Sequence, residues 1–223
     1  MNAGGLGGLT RARLPGRTLL SLKGGSRLRP DVLLAESGAG PVVVKDWSRQ
    51  PRLVRATLGR VLCAREARAH RRLAGPPHVP RLLGSLDAHA LVLEYRAGVR
   101  VARGRPWLFD ARFAAALERA LAEIHARGVI HLDLAHRSNL GADPGGRPLV
   151  LDLGAALCLR RRAAMRALHR ALAAVDRRAL RKWQRRLAAP APRAPQSAGS
   201  AGVPGAGGGS GASDGARGAS RPM

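Results

Sequence analysis

Apolar residues come in short runs over the first hundred positions of this chain and at helical spacing after them. Thr18 to Lys23, Asp31 to Glu36 and Pro41 to Asp46 are strand-sized, and Gly-rich turns separate them, Gly24-Gly25-Ser26 and Ser37-Gly38-Ala39-Gly40 among them. Three such segments predict an antiparallel meander. From Thr57 to Leu73 the pattern changes. Leu58, Leu62, Ala69 and Leu73 share one face of a helix, with Arg65, Arg68 and Arg72 opposite. Gly75-Pro76-Pro77 stops that helix, and Val79 to Leu86 and Ala90 to Tyr95 read as two further strands. Asp110 to Arg127 is the clearest helix, with Asp110 as cap, Phe113, Leu117, Leu121 and Ile124 as apolar face, and Gly128 at its end. The stretch Arg160 to Leu187 is helical in character. Met165, Leu168, Leu172 and Val175 form one face, and Asp176 to Leu187 reads as a second short helix.

The ends differ in composition. Residues 1–17 are Gly-rich and basic and read as a loose N-terminus. From Ala188 to residue 223 Pro, Ala, Gly and Ser dominate, which predicts a disordered tail. A single domain over 18–187 remains, with Ala97-Gly98 as a hinge between a part ending near Arg96 and a part beginning there.

Charge and cysteine content narrow the function classes. The formal net charge is +25, nearly all of it arginine, because the only lysines are Lys23, Lys45 and Lys182. A GC-rich genome imposes such a composition, so codon bias with solvated helix faces accounts for the charge as well as a functional basic surface does. A functional surface would face phosphates of nucleic acid, anionic lipid or a phosphorylated glycan. Aromatic residues make up only 3%, which leaves few platforms for base stacking. Cys63 and Cys158 stand apart in apolar surroundings and read as structural thiols. No apolar run approaches the roughly 18 residues of a membrane span, and no leader pattern precedes the first strand, so a cytoplasmic protein is the default expectation.

Candidate chemistry concentrates between His131 and Gly154. The segment His131-Leu132-Asp133 through Asn139 precedes a Gly-rich turn, and the apolar run Pro148 to Leu151 leads into Asp152. An acid at the end of a buried strand is costly unless it is paired or holds a cation. Gly154 permits a sharp turn just after it. Asp133, Asn139 and Asp152 together suit Mg²⁺ carrying phosphates, since that ion takes a few oxygen ligands and leaves the rest to its substrate. Two residues upstream complete the set. Lys45 ends the buried run Val42-Val43-Val44, where a compact point charge replaces the usual arginine. Glu66 lies beside an apolar stripe and needs a partner, for which Lys45 is the natural candidate.

A strand Lys, a helix Glu, a hinge at Leu93-Glu94-Tyr95, an HxD with a downstream Asn and an Asp-x-Gly follow one another in this order. The order resembles the protein-kinase-like superfamily over about residues 18–187. The resemblance implies an α+β fold of two lobes, a small antiparallel-sheet N-lobe (about 18–96) and a minimal helical C-lobe (about 97–187). It implies ATP and Mg²⁺ as ligands and an alcohol-group acceptor. Lys45 would meet the α/β-phosphates and pair with Glu66. Asp133 would orient the attacking hydroxyl, and Asn139 and Asp152 would hold Mg²⁺. Backbone groups of Glu94, Tyr95 and Arg96 would receive the adenine edge, and Gly24, Gly25 and Ser26 would cover the phosphates. His131 would brace the loop.

This chain also departs from the family pattern. Leu132 stands where a typical kinase has Arg, and Ala135 where many have Lys, which leaves His136 or Arg137 to supply the charge. Asn139 lies one residue farther from Asp133 than is usual, and the glycine loop is incomplete. No peptide-binding helical lobe follows Gly154. The minimal C-lobe is similar to RIO-type kinases and to bacterial lipopolysaccharide-core sugar kinases, so the acceptor would be a protein Ser/Thr or a sugar. The competing expectations are a pseudokinase that binds without turnover and a basic binder of nucleic acid or anionic surfaces.

Overall fold

The computed structural model describes residues 6–26, 28–101, 110–159 and 163–188. A single helical turn, α1 (Leu14–Arg17), leads into β1 (Thr18–Lys23), β2 (Asp31–Ser37) and β3 (Gly40–Asp46). Each neighbouring pair is antiparallel, and the register sets Val32 opposite Lys45. With β4 (Leu82–Asp87) and β5 (Ala90–Glu94) they form a five-stranded sheet in the order β1-β2-β3-β5-β4. The fourth strand begins three residues later than the apolar pattern suggests. Val79 is buried in a different cluster and Pro80 has no N–H for a ladder.

Alternation along β3 decides what each sheet face meets. Val42 and Val44 point to one face, where they pack with Ala35, Ala90, Val92 and the N-terminal leucines Leu6, Leu9 and Leu14. Lys45 points to the other. The N-terminal segment from Leu6 is therefore part of the core and not loose. Arg11 staples it down, donating to Asp46 at 2.5 Å and to both carboxylate oxygens of Asp87 at 2.7 and 3.0 Å.

The second sheet face carries the helix. It runs continuously through α2 (Arg52–Val54), a π turn (Arg55–Gly59) and α3 (Arg60–Arg72), starting just after Pro51 and five residues before the expected Thr57. The wider π turn resets the helical phase. Leu58, expected on the apolar stripe, is 38% exposed, and Cys63 and Ala67 instead pack on Trp47 and Leu91. Gly59 lies against Trp47, where a Cβ would stand 3.3 Å from the Trp47 Cβ. The arginines expected on a free face divide. Arg65 donates to Gly154 O and Arg72 to Leu159 O, while Arg68 is exposed.

Downstream, β6 (Val99–Arg100) begins after Gly98 and pairs with β8 (Leu140–Ala142), which pairs with β9 (Pro148–Val150). A Cβ at Gly98 would stand 2.4 Å from Ala142 O, so the glycine serves a close backbone approach as well as a bend. Helix α4 (Ala111–Ala126) starts at Asp110, whose carboxylate accepts from Phe113 N–H at 2.9 Å, and ends before Gly128 at φ +70°. Its buried face is Phe113, Leu117, Leu121 and Ile124, as the pattern predicts. Short strands β7 (Val129–Ile130) and β10 (Leu157–Cys158) pair beside it.

The last helix differs most from its sequence reading. It is a single helix, α5 (Arg166–Ala188), without a break at Asp176. Its buried face is Ala173, Asp176, Ala179, Leu180 and Trp183, while Leu168 and Val175 are 44% and 47% exposed. Two apolar stripes compete on this helix, and Trp183 with Leu180 offers the larger area to the main cluster around α4. The molecule is thus mixed α+β, and among the described residues no helix is long and apolar enough to cross a membrane. Apart from Ala188, the tail expected to be disordered lies outside the described residues.

Candidate functional site

The site begins with Lys45. Strand alternation turns its side chain toward α3, where Glu66 projects from the buried face. The ammonium lies 2.5 Å from Glu66 Oε1 and 2.7 Å from Asp152 Oδ1, so one cation bridges a helix and the loop after β9. The Lys45 and Glu66 side chains are 9% and 6% exposed, and Asp152 is 43% exposed. Burial alone would lower the Lys45 ammonium, but the two carboxylates outweigh it and hold it above its ordinary value. Burial would raise Glu66, yet the Lys45 charge takes it below the usual carboxylate range. For Asp152 burial is again opposed by Lys45, through charge and hydrogen bond, and the carboxyl falls to about 2. The three groups are therefore all ionised at neutral pH.

The loop from His131 to Asn139 forms the second part. Asp176 of α5, fully buried, accepts from His131 N–H at 2.7 Å and Leu132 N–H at 2.8 Å, and meets His125 Nε2 at 3.0 Å. Two turns on, Trp183 Nε1 donates to Leu134 O at 2.9 Å, and Lys182 donates to Ala135 O at 3.3 Å. One helix thus fixes four of the five positions from His131 to Ala135, all but Asp133. The His131 ring, buried, accepts from Asp133 N–H at 3.2 Å and donates from Nε2 to Leu151 O at 3.0 Å, which ties the loop to the segment before Asp152. Leu132 takes φ +65° to let these bonds form. Such a conformation costs of order 1–3 kcal/mol and persists only where surrounding bonds over-determine it.

Asp133 itself is left exposed. Asn139 holds it from behind, with Nδ2 donating to Asp133 Oδ2 at 2.8 Å and to its backbone O at 2.9 Å. Asn139 Oδ1 accepts from Ser138 Oγ at 3.1 Å, and Ser138 Oγ lies 2.7 Å from His136 Nδ1. Leu151 N–H donates to Asn139 O, so the Asp133 loop and the Asp152 loop are bonded at two points. Asp152 supplies the left-handed residue of this second loop, at φ +61°. Gly154, expected to make the turn by positive φ, instead gives room: a Cβ there would stand 3.2 Å from Asp152 Oδ1.

These groups share one cleft of about 230 Å³, lined by Lys45, Glu66, Asp133, Ser138, Asn139 and Asp152. Its outer wall is Lys23, Leu28, Arg29 and Pro30 of the β1–β2 hairpin, with Trp47 and Leu62. Among the described residues no cluster of three or more His, Cys, Asp and Glu side chains is arranged to hold a metal. Mg²⁺ asks less, since it is usually bound through one or two protein carboxylates plus substrate phosphates. Asp152 fits that role: its Oδ1 faces Lys45, and no described hydrogen bond or ion pair engages Oδ2. Asn139 retains one lone pair on Oδ1.

Two groups of expected residues lie elsewhere. Gly24, Gly25 and Ser26 do not line the cleft. Gly25 N–H donates to the Asp31 carboxylate at 2.6 Å and Ser26 N–H to Arg29 O at 3.2 Å, so the turn spends its donors on itself. Glu94, Tyr95 and Arg96 are also outside the lining. Glu94 N–H donates to Arg81 O at 2.9 Å, the Glu94 carboxylate pairs with Arg81 and Arg96, and Arg96 donates to Pro77 O.

Asp176, Lys182 and Trp183 were not anticipated as parts of the site. A signal was present: Asp176 is the only acid between Arg160 and Ala188, in a helix otherwise studded with arginine. The free thiols stay outside the chemistry. Cys63 is buried and burial pushes it up to about 12, while Cys158 is half-buried and also raised by burial. No protein-family model matches this chain, and no curated protein matches it.

Proposed function

We propose that this protein is an ATP- and Mg²⁺-dependent phosphotransferase of the protein-kinase-like superfamily, with a sheet-based N-lobe and a minimal helical C-lobe. The acceptor would be a hydroxyl of a protein Ser/Thr or of a lipopolysaccharide-type sugar. The observation that carries this reading is the Lys45 ammonium held between Glu66 and Asp152, facing a cleft whose other wall is Asp133 fixed by Asn139. Phosphoryl transfer needs positioned charge more than covalent chemistry, and this arrangement supplies it.

In this reading Lys45 neutralises phosphate oxygens while Glu66 fixes the direction of its ammonium. Asp133 orients the acceptor hydroxyl and takes its proton as the oxygen bonds to the terminal phosphorus and ADP leaves. Asn139 keeps the Asp133 carboxylate aimed, and Asp152 with Asn139 would hold Mg²⁺, which would offset the remaining phosphate charge. Glu94 N–H is bonded to Arg81 O, so the adenine edge would be received by other backbone groups of Glu94, Tyr95 and Arg96. Of the two residues expected to make up for Ala135, His136 lines the cleft and Arg137 does not.

Thermal unfolding with and without Mg²⁺-ATP tests the assignment. A ligand at about 100 times its dissociation constant stabilises by roughly 2.7 kcal/mol. The expected result is a Mg²⁺-dependent upward shift in wild type that Asp152→Ala abolishes; no shift at millimolar nucleotide would sink the reading. A second reading, a nucleotide-binding module without turnover, is favoured by one observation, that Asn139 spends its amide on Asp133 and its oxygen on Ser138. Release of ADP in the presence of acceptor, lost in Asp133→Ala with the thermal shift retained, separates turnover from binding alone.

A further inference from the structure

The helical stretch that carries Glu66 inward carries something different outward. Between Arg49 and Arg72 the only acid is Glu66, and it is buried against Lys45. Arg55, Arg65 and Arg72 are spent on backbone carbonyls of this chain. Arg49, Arg52, Arg60, Arg68 and Arg71 are exposed, and no described hydrogen bond or ion pair engages their side chains. Among them stand Leu53 at 77% and Val61 at 63% exposure, the two most exposed large apolar side chains described in the molecule. A solvated helix has no use for either in that position. A lone exposed apolar side chain needs no explanation, but Leu53 and Val61 interleaved with five unpaired guanidinium groups and no exposed acid form a patterned surface.

We infer that this outer face is a docking surface for an anionic lipid bilayer. The charge selects the partner: unpaired arginines without a local acid are attracted to a negative surface, and each one near the headgroups adds to the attraction. The apolar side chains select among negative partners. Leu53 and Val61 gain nothing against a phosphodiester backbone, whereas a bilayer accepts apolar side chains below its headgroups while arginines stay at their level. The stretch offers no exposed aromatic ring for base stacking, since Trp47 beside it is buried. Its start also lies at the mouth of the cleft. Gln50 donates to Arg29 O at 3.0 Å, so the hairpin tip that bears Arg29 and the 62%-exposed Leu28 is bonded to the residue that follows Arg49. Leu28 and Arg29 line the cleft. A bilayer seated on this face would bring headgroups next to the cleft, so that the acceptor hydroxyl would be one carried by a membrane lipid or glycolipid. That consequence rests on the phosphotransferase assignment; the docking does not.

Flotation of the full chain with vesicles, without nucleotide, tests the surface. Wild type is expected to float with phosphatidylcholine vesicles containing phosphatidylglycerol and to remain behind with phosphatidylcholine alone. Leu53→Ser with Val61→Ser keeps every charge and is expected to lower the partition coefficient about tenfold or more. Arg52→Ala with Arg60→Ala and Arg68→Ala is expected to abolish flotation at physiological salt. Leu168→Ser, at an exposed apolar position on α5, is expected to change nothing. All these side chains are solvent-exposed, and unchanged melting temperatures verify that each variant folds. Absence of wild-type flotation overturns the proposal, as does equal flotation of the Leu53/Val61 variant. Binding to duplex DNA that depends on the same arginines, without flotation, overturns it in favour of a nucleic-acid surface. Since no nucleotide is present, failure here leaves the Mg²⁺-ATP result standing, and the reverse.

Discussion

Lys45 illustrates how little of a residue's role lies in its own side chain. Its position at the end of β3 makes it point toward α3, and the carboxylates it meets come from positions 21 and 107 residues later. Removing it would leave Glu66 buried with only His70, 3.8 Å away, to face it, and breaking such a buried pair costs about 3–5 kcal/mol. The pH dependence follows from the direction of the shifts. Folding lowers Glu66 and takes Asp152 from 3.8 to about 2, so these carboxylates favour the folded state above their unfolded values. That contribution is withdrawn as pH falls from about 4 toward 2. Urea unfolding of wild type and Lys45→Met across this range should show a deficit of about 3 kcal/mol or more at neutral pH that shrinks as the medium is acidified. A deficit independent of pH would mean that the Lys45 stem matters and its charge does not. Asp176 works at the same scale with a different logic. It is a buried acid paid for by two backbone N–H groups, and its sequence signal was its isolation among arginines.

At the scale of elements, α5 and the π turn before α3 show why periodicity is not burial. Over 165–183 the stripe Met165-Leu168-Leu172-Val175 and the stripe Ala173-Ala179-Leu180-Trp183 both satisfy a helical period, and only the second is buried. Leu180→Ala should destabilise by about 2–5 kcal/mol. Trp183→Phe should cost about 1–3 kcal/mol by leaving Leu134 O without its donor. Val175→Ser should stay within about 0.5 kcal/mol. Denaturant midpoints of the three variants check the assignment, and a Val175→Ser loss as large as that of Leu180→Ala would reverse it. In the α2–α3 stretch a wider turn alters the helical phase in mid-course. No apolar pattern announces that turn, whose last residue, Gly59, lies against Trp47.

At the scale of the molecule, the sheet is covered on both faces, and the N-terminal segment provides one of the covers. Gly-rich, basic composition predicts looseness for such a segment, but three leucines and one arginine suffice to dock it. Arg11 joins the ends of two strands through Asp46 and Asp87. Arg11→Ala should lower stability by about 1–3 kcal/mol, because Asp46 is buried and would keep only Ser48 as donor. A thermal melt unchanged by this substitution would mean that the leucines dock the segment unaided. The same scale governs the cleft, whose walls come from the β1–β2 hairpin, α3, the Asp133 loop and the Asp152 loop.

Local rules were enough for much of this. Short apolar runs and the Gly-rich turns between them made β1 to β3 and β5 legible within a residue or so, and the cap-and-stop residues Asp110 and Gly128 bounded α4. The need of a buried acid for a counter-charge pointed from Glu66 to Lys45. Those signals are short-range, or they concern groups too costly to bury alone. Tertiary packing decided the rest: which stripe of α5 is inward, that Leu6, Leu9 and Leu14 are core, that Asp176 and Trp183 hold the Asp133 loop. It also decided that Gly25 and Glu94 spend their N–H groups inside the sheet and its turns. In each of these cases several partners were chemically acceptable, and the choice depended on which surface lay close enough to compete. A linear chain does not encode that as a local pattern.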